Sequence, residues 1–273
     1  MAALRLGVMA SLAEDPSAVL EKVHSLGLPT CQLGLRSPDA FNLQLAEDIR
    51  RAAARWEVEI TACWPRLPGR TVWNFAEGPA TIGLVPRATR PERVEAFKRA
   101  SDFARLLGVP AVAAHMGFIP ENPSDPEYGP LVETLREVAI YCGNNGQQVL
   151  FETGQETPIT LVRAFGDIGM DNLGVNLDPA NLLMYGKANP IDALELLGPF
   201  VRAVHAKDGE YPRNGRQLGP EKPLGEGRVD FPVLVPKLKS YGFAGALTIE
   251  REVSGPEQIA GIRQAIRVLQ PLL

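Results

Sequence analysis

A chain of 273 residues with 45% hydrophobic and 22% charged residues has the composition of a soluble globular protein, and its length suits one large α/β domain. The formal net charge of −4 argues against a nucleic-acid partner, because binding a polyanion needs a basic face that displaces condensed counterions. No apolar run approaches the ~20 residues of a membrane span, and the first residues lack the pattern of a signal peptide, so a cytoplasmic protein with no membrane partner is expected.

The chain repeats one phrase: a short apolar run, a turn, an amphipathic stretch, and often a glycine. The first run is Leu4–Met9, and Asp15-Pro16 opens a helix to about Gly27, with Asp suited to the N-cap and Pro to the first helical position. Cys31–Leu35 is the second, with Ser37-Pro38 opening a helix to about Trp56. Val58–Cys63 is the third. Thr89-Arg90-Pro91-Glu92 then reads as a capping box for a helix to Gly108. Val109–His115 is the fourth, followed by a helix over about Leu131–Cys142. Gln148–Glu152 is the fifth, with its helix starting at Thr157-Pro158. Leu173–Asp178 is the sixth, with a helix from Asn189-Pro190 to Gly198. Val201–His205 is the seventh, with a helix around Phe231–Tyr241. Ala246–Glu250 is the eighth, with a last helix from about Pro256 to Leu269.

Strict strand–helix alternation implies a parallel sheet, and these runs are apolar on both faces, as strands covered by helices should be. The expected fold is α/β, a (β/α)8 TIM barrel forming a single domain over residues 1–273. No GxGxxG follows the first run, which removes the usual reason to prefer a dinucleotide fold. The long connections Trp64–Arg90 and Lys207–Val229 leave the carboxyl ends of strands, where barrel enzymes place their sites.

Ligand-type residues fall at four successive strand ends: Glu152, Asp178, His205 and Glu250. Neighbouring strand ends lie side by side in a barrel, so these side chains can converge, and a cation would offset the cost of gathering their charge. Three carboxylates and one imidazole suit one divalent ion, Mn²⁺, Co²⁺, Mg²⁺ or Zn²⁺. Taken singly, each residue is more often a helix cap or an ion-pair partner than a ligand; the run of four gives the pattern its weight.

The segments Phe-Glu152-Thr-Gly-Gln-Glu156, Asn-Leu-Asp178-Pro-Ala-Asn181, Val-His205-Ala-Lys-Asp208 and Ile-Glu250-Arg-Glu252, with Pro223-Leu-Gly-Glu-Gly-Arg-Val-Asp-Phe-Pro232, resemble the xylose-isomerase-like barrel superfamily. Within it they are similar to the sugar phosphate isomerase/epimerase group that includes the ketose 3-epimerases. The resemblance implies a mononuclear site with Glu152, Asp178, His205 and Glu250 as ligands, and Glu152 and Glu250 as the acid/base pair that removes and returns a proton beside a carbonyl. It also implies a small-molecule sugar substrate, free or phosphorylated, and a homodimer or homotetramer. The chain departs from the epimerase pattern at Asn181, where those enzymes usually carry a histidine. It departs again after the seventh run, where Tyr211 stands near the place of a substrate-binding arginine and Arg213 and Arg216 lie slightly beyond.

Further substrate-contact candidates are Glu156, Asn181, His115, Trp64 and Lys207, together with Arg213 and Arg216. For His115 a backbone-bonded core histidine is the competing account, for Trp64 core filling, and for Lys207 and Asp208 a surface salt bridge. Arg66, Arg70, Arg87 and Arg90 of the third connection would bind an anionic substrate group or be merely solvated. Cys31, Cys63 and Cys142 show no CxxC pair, so a reduced chain is expected and no nucleophile is marked. The competing functions are an inosose-dehydratase-like lyase, a phosphodiesterase (disfavoured with only His24, His115 and His205 present), and a non-catalytic sugar-binding barrel.

Overall fold

The computed structural model describes residues 4–273. Eight parallel strands close into a barrel in the order β1-β10-β7-β6-β5-β4-β3-β2. They are β1 (Arg5–Ser11), β2 (Thr30–Gly34), β3 (Glu59–Trp64), β4 (Ala111–Ala114), β5 (Gln148–Glu152), β6 (Leu173–Leu177), β7 (Val201–Ala206) and β10 (Ala246–Ile249). Between β7 and β10, β8 (Asp208–Gly209) and β9 (Glu221–Lys222) form a small antiparallel ribbon, paired Asp208 to Lys222. Closure runs through β1, whose Val8 pairs with Ile249 of β10 and with Cys31 of β2.

The helices are α1 (Pro16–Ser25), α2 (Leu43–Trp56), α3 (Gly78–Thr81), α4 (Arg90–Leu107), α5 (Tyr128–Asn144), α6 (Pro158–Ile168), α7 (Pro179–Met184), α8 (Pro190–Leu197), α9 (Phe231–Ser240) and α10 (Pro256–Leu269). Asp15, Thr157 and Asn189 cap α1, α6 and α8 through their side chains, as the sequence led one to expect. The second helix starts later than Ser37-Pro38 suggested. Pro38–Ala40 is a 3₁₀ turn, and Asn42 is the true cap of α2, its side chain accepting from Leu45 N. The capping box at Thr89 is absent: Thr89 has φ −108° and ψ −5° and its hydroxyl makes no cap bond. A residue already turned into the helical region cannot aim its side chain at the N3 amide, and here the backbone of Thr89 alone bonds Arg93 N.

Alanines fill the inside of the barrel, where Ala62, Ala111, Ala113, Leu150 and Ala203 pack under Trp64. Buried polar groups, Gln32, Asn176, His205 and Glu152 among them, share the barrel interior with this cluster and bond to one another. The larger core lies between strands and helices.

Two loops shape that end. The connection from β3 to α4 is held from beneath by Arg93, buried, which donates to the carbonyls of Pro68, Gly83 and Arg70. Gly83 has φ +68°, and a Cβ there would meet the Met116 carbonyl at 2.1 Å, so the loop and the segment after β4 touch backbone to backbone only because this residue is glycine. Arg90 likewise donates to the carbonyls of Leu84 and Val85. These arginines hold loop backbone and are not solvated.

The second loop is organised by Asp208, which is buried and accepts backbone N–H groups from Gly209 and Val229 on Oδ1 and from Gly225 and Gly227 on Oδ2. The surface salt bridge expected of it is not formed. Four amide donors satisfy both oxygens of this buried carboxylate without any cationic partner.

Candidate active site

The strand ends deliver their donors to one place. One ligand atom from each of Glu152, Asp178, His205 and Glu250 lies within 4.8 Å of the other three. Glu152 closes β5, Asp178 follows β6, His205 sits near the end of β7 and Glu250 follows β10, so register rather than local sequence brings them together. His205 is fully buried; its Nδ1 lies 2.9 Å from Glu152 Oε1 and 3.2 Å from Glu250 Oε2.

Asp178 has two roles. Its Oδ1 caps α7 by accepting from Asn181 N at 2.8 Å, while Oδ2 is buried with no hydrogen-bond partner. A carboxylate oxygen is rarely stranded in the interior, because its desolvation is then uncompensated. Glu250 Oε2 is also buried without a hydrogen bond. Two such oxygens beside an imidazole nitrogen fit a divalent cation.

Lys207 follows the histidine and is buried, not a surface residue. Its Nζ lies 2.6 Å from Glu252 Oε1, 3.3 Å from Glu250 Oε2 and 3.6 Å from Asp178 Oδ2, and donates to Asn181 Oδ1 at 3.3 Å. His115 is no backbone-bonded core residue either. Its Nε2 stands 2.8 Å from Glu152 Oε2 and its Nδ1 3.2 Å from Gln155 Oε1. Asn181 donates from Nδ2 to Glu152 Oε1 at 3.3 Å. Glu152 is thereby surrounded by His115, His205 and Asn181.

The electrostatics follow from this crowding. Burial alone would raise the carboxyl of Glu152, but His115 and His205 outweigh it and hold it at about 2. Burial works against the Glu250 carboxylate too, and Lys207 and His205 hold its pKa well below the ordinary value. Asp178, with less cationic company, is pushed up to about 8 by burial, against the pull of Lys207. Burial disfavours the His205 cation, yet Glu250 and Glu152 raise it to about 10. In the ion-free protein, protons and Lys207 thus balance the gathered carboxylates.

Trp64 lies over the ring of His205 at 5.2 Å between centroids and 28° between planes. With Arg66, Thr71, Trp73 and His115 it lines a cavity of about 350 Å³ at the barrel mouth. Trp73 meets the His115 ring edge-on at 4.9 Å. Arg213 and Arg216 are not brought to the cluster: both are exposed, and Arg213 pairs with Glu210. The buried thiol of Cys63 is pushed well up by desolvation, so it is no nucleophile.

Glu156 is buried, and desolvation pushes its carboxyl up to about 8. An acid whose folded pKa lies above its unfolded one favours folding at low pH. That contribution is lost as pH rises from the ordinary carboxylate range through about 8. Glu156→Gln is therefore expected to remove this decline and make the ion-free protein more stable than wild type above about pH 8, by a few kcal/mol at most, with ~1.4 kcal/mol per pKa unit. Urea denaturation at several pH values measures it; parallel wild-type and variant profiles would refute a protonated Glu156.

Several residues at the site were not singled out from the sequence. Gln32 on β2 is fully buried and faces His205, a polar residue inside an otherwise apolar run. Gln155 and Tyr185 each place a buried polar atom without a partner in the same region, and Glu252 pairs with Lys207.

The family model described as "Xylose isomerase-like TIM barrel" matches residues 20–272. A crystal structure of a xylose isomerase domain protein from Planctomyces limnophilus is 33% identical, with TM-score 0.94, covering 99% of this chain and 97% of that one. An L-ribulose 3-epimerase is 19% identical with TM-score 0.75, over 99% and 94% of the two chains, a likeness of fold. An uncharacterized protein of Methanocaldococcus jannaschii is 28% identical over 88% of this chain and 80% of its own length.

Proposed function

The chain belongs to the xylose isomerase-like TIM barrel family, and from that premise we propose that it is a divalent-metal-dependent isomerase or epimerase of a small sugar or sugar phosphate. Glu152, Asp178, His205 and Glu250 would hold the ion. A divalent cation bound there polarises a carbonyl oxygen and makes the neighbouring C–H acidic. The observation that carries the reading is the placement of two glutamates on separate strands, 2.9 and 3.2 Å from the same imidazole nitrogen.

Glu152, kept ionised by its histidines, is the base that takes the proton from carbon and later gives it up to solvent. Glu250, ionised at rest beside Lys207 and His205, is the partner that would take a proton from solvent and return it to carbon from the other side. Lys207 would donate to the oxygen on which charge develops, and the cavity lined by Trp64, Trp73 and His115 beside the cluster would receive the rest of the substrate. Asn181 holds Glu152 and leaves no proton-carrying group where a histidine would offer one.

Incubating the metal-loaded protein with a panel of ketoses in D₂O is expected to give one substrate that gains deuterium beside its carbonyl and yields its epimer or isomer. Absence of exchange across the panel would refute the reading. A dehydratase of a keto-polyol is the second reading, favoured by the buried ammonium of Lys207 beside Glu250. It could protonate a departing hydroxide, and an unsaturated product would identify that course.

A further inference from the structure

We propose that Gln32, locked in orientation by Trp64, is a positioning residue that fixes the ring of His205 so that Nδ1, and not Nε2, is the atom offered to a metal ion. This deepens the reading above and rests on it.

The inference follows a chain of hydrogen bonds. The indole nitrogen of Trp64 is a donor only, and it lies 2.6 Å from one end of the Gln32 amide. That end must be the oxygen, which settles an orientation that an amide's shape alone leaves open. The other end, Nε2, then donates to Asn176 Oδ1 at 3.1 Å. Both contacts agree on one arrangement of an amide that is fully buried.

The same Gln32 Oε1 lies 2.9 Å from His205 Nε2. An amide oxygen can only accept, so Nε2 must carry a hydrogen. The imidazolium of the ion-free protein must shed one proton to accept a cation, and with Nε2–H held by Gln32 the proton it sheds is the one on Nδ1, leaving a lone pair there. Nδ1 is the nitrogen that faces Glu152 Oε1 and Glu250 Oε2, on the side where the four donors converge. The stacked indole restrains the ring from turning over, so Trp64 acts twice, through its face and through its N–H. A flipped amide would present N–H to Nε2, force the hydrogen onto Nδ1 and close that nitrogen to a cation.

Zinc, being diamagnetic, serves as probe. Its affinity is read by competition with a chromogenic chelator, and the protonation of each His205 nitrogen by long-range ¹H–¹⁵N correlation in the zinc-loaded protein. Wild type is expected to show a metal-bound Nδ1 and a protonated Nε2. Gln32→Met, of similar size but with no acceptor, is expected to weaken zinc binding roughly 10–100-fold and lose that single signature. Gln32→Glu, whose carboxylate accepts from both neighbours, should restore it, which a purely structural role would not require. Trp64→Phe keeps the aromatic face but frees the amide to flip, and should fall between wild type and Gln32→Met. Should Gln32→Met fail to fold, Trp64→Phe carries the test alone. Wild type that binds zinc through Nε2, or folded variants with unchanged affinity and spectrum, would overturn this inference and leave the metal reading standing. Wild type that takes up no zinc would overturn both.

Discussion

Glu152→Gln and Glu250→Gln are each expected to lower turnover by roughly 10²–10⁴-fold, the range of a lost general acid or base, with the barrel intact. An amide has nearly the shape of a carboxylate but cannot take up a proton. The two variants should differ in what survives. With Glu152 as base, Glu250→Gln can still remove and return a proton on one face, so one epimer exchanges hydrogen with D₂O without net epimerisation. Glu152→Gln should lose exchange of that same epimer. Measuring exchange and product separately, at saturating metal, distinguishes this from loss of the ion. Wild-type turnover in either variant would remove the pair from the mechanism.

Lys207→Met should move metal affinity and activity in opposite directions. In the ion-free protein the ammonium lies 3.6 Å from Asp178 and 3.3 Å from Glu250, the carboxylates a divalent cation would use, so it competes with the ion for them. Removing it is expected to destabilise the ion-free protein by about 3–5 kcal/mol, the usual result of leaving buried carboxylates without a partner, moderated where Asp178 keeps its proton. The same loss of positive charge should tighten divalent-ion binding measured by titration calorimetry. Turnover should nonetheless fall by roughly 10²–10³-fold, as when a donor to a developing oxyanion is deleted. Weaker metal binding in Lys207→Met would mean that Lys207 supports the ion site rather than rivals it.

The eight strand–helix units were legible because strands buried on both faces are unbroken apolar runs, and the residue that ends each run stands out. Glu152, Asp178, His205 and Glu250 could be picked out that way. Helix starts were harder. Ser37-Pro38 and Thr89-Arg90-Pro91-Glu92 carry the residue types of caps, yet a cap depends on a backbone angle. Thr89 has already turned helical, and Asn42 supplies the cap that Ser37 does not. The short helix α7 went unnoticed although its cap is Asp178 itself, because the run of four strand-end donors weighed that residue toward the ligand reading over the cap reading.

Within the site, what the sequence hid was pairing across the barrel. Gln32 and His205 are 173 positions apart, and no local pattern connects them. A clue was present, since Cys31-Gln32-Leu33 sets a polar side chain in a run that otherwise belongs to the interior, and such a group needs a partner. Reading Lys207 as a surface ion pair and Arg90 as solvated or anion-binding errs in the opposite direction, while Arg66, Arg70 and Arg87 are exposed. Charged residues are usually solvated, and only the fold shows Lys207 enclosed by carboxylates and Arg93 spent on loop carbonyls.

Asp208 ties both roots of its loop, near residues 209 and 225–229, to the strand that carries His205. Gly227 approaches so closely that a Cβ would sit 2.1 Å from the carboxylate oxygen. The exposed tip beyond the ribbon, residues 211–217, makes no hydrogen bond or ion pair to the four-donor cluster, and its Arg213 pairs locally with Glu210. It can be lengthened, shortened or exchanged for another sequence while the base of the loop stays clamped. The tip is therefore a replaceable module of the surface, whereas the wall braced by Arg93 cannot change shape without disturbing its own scaffold.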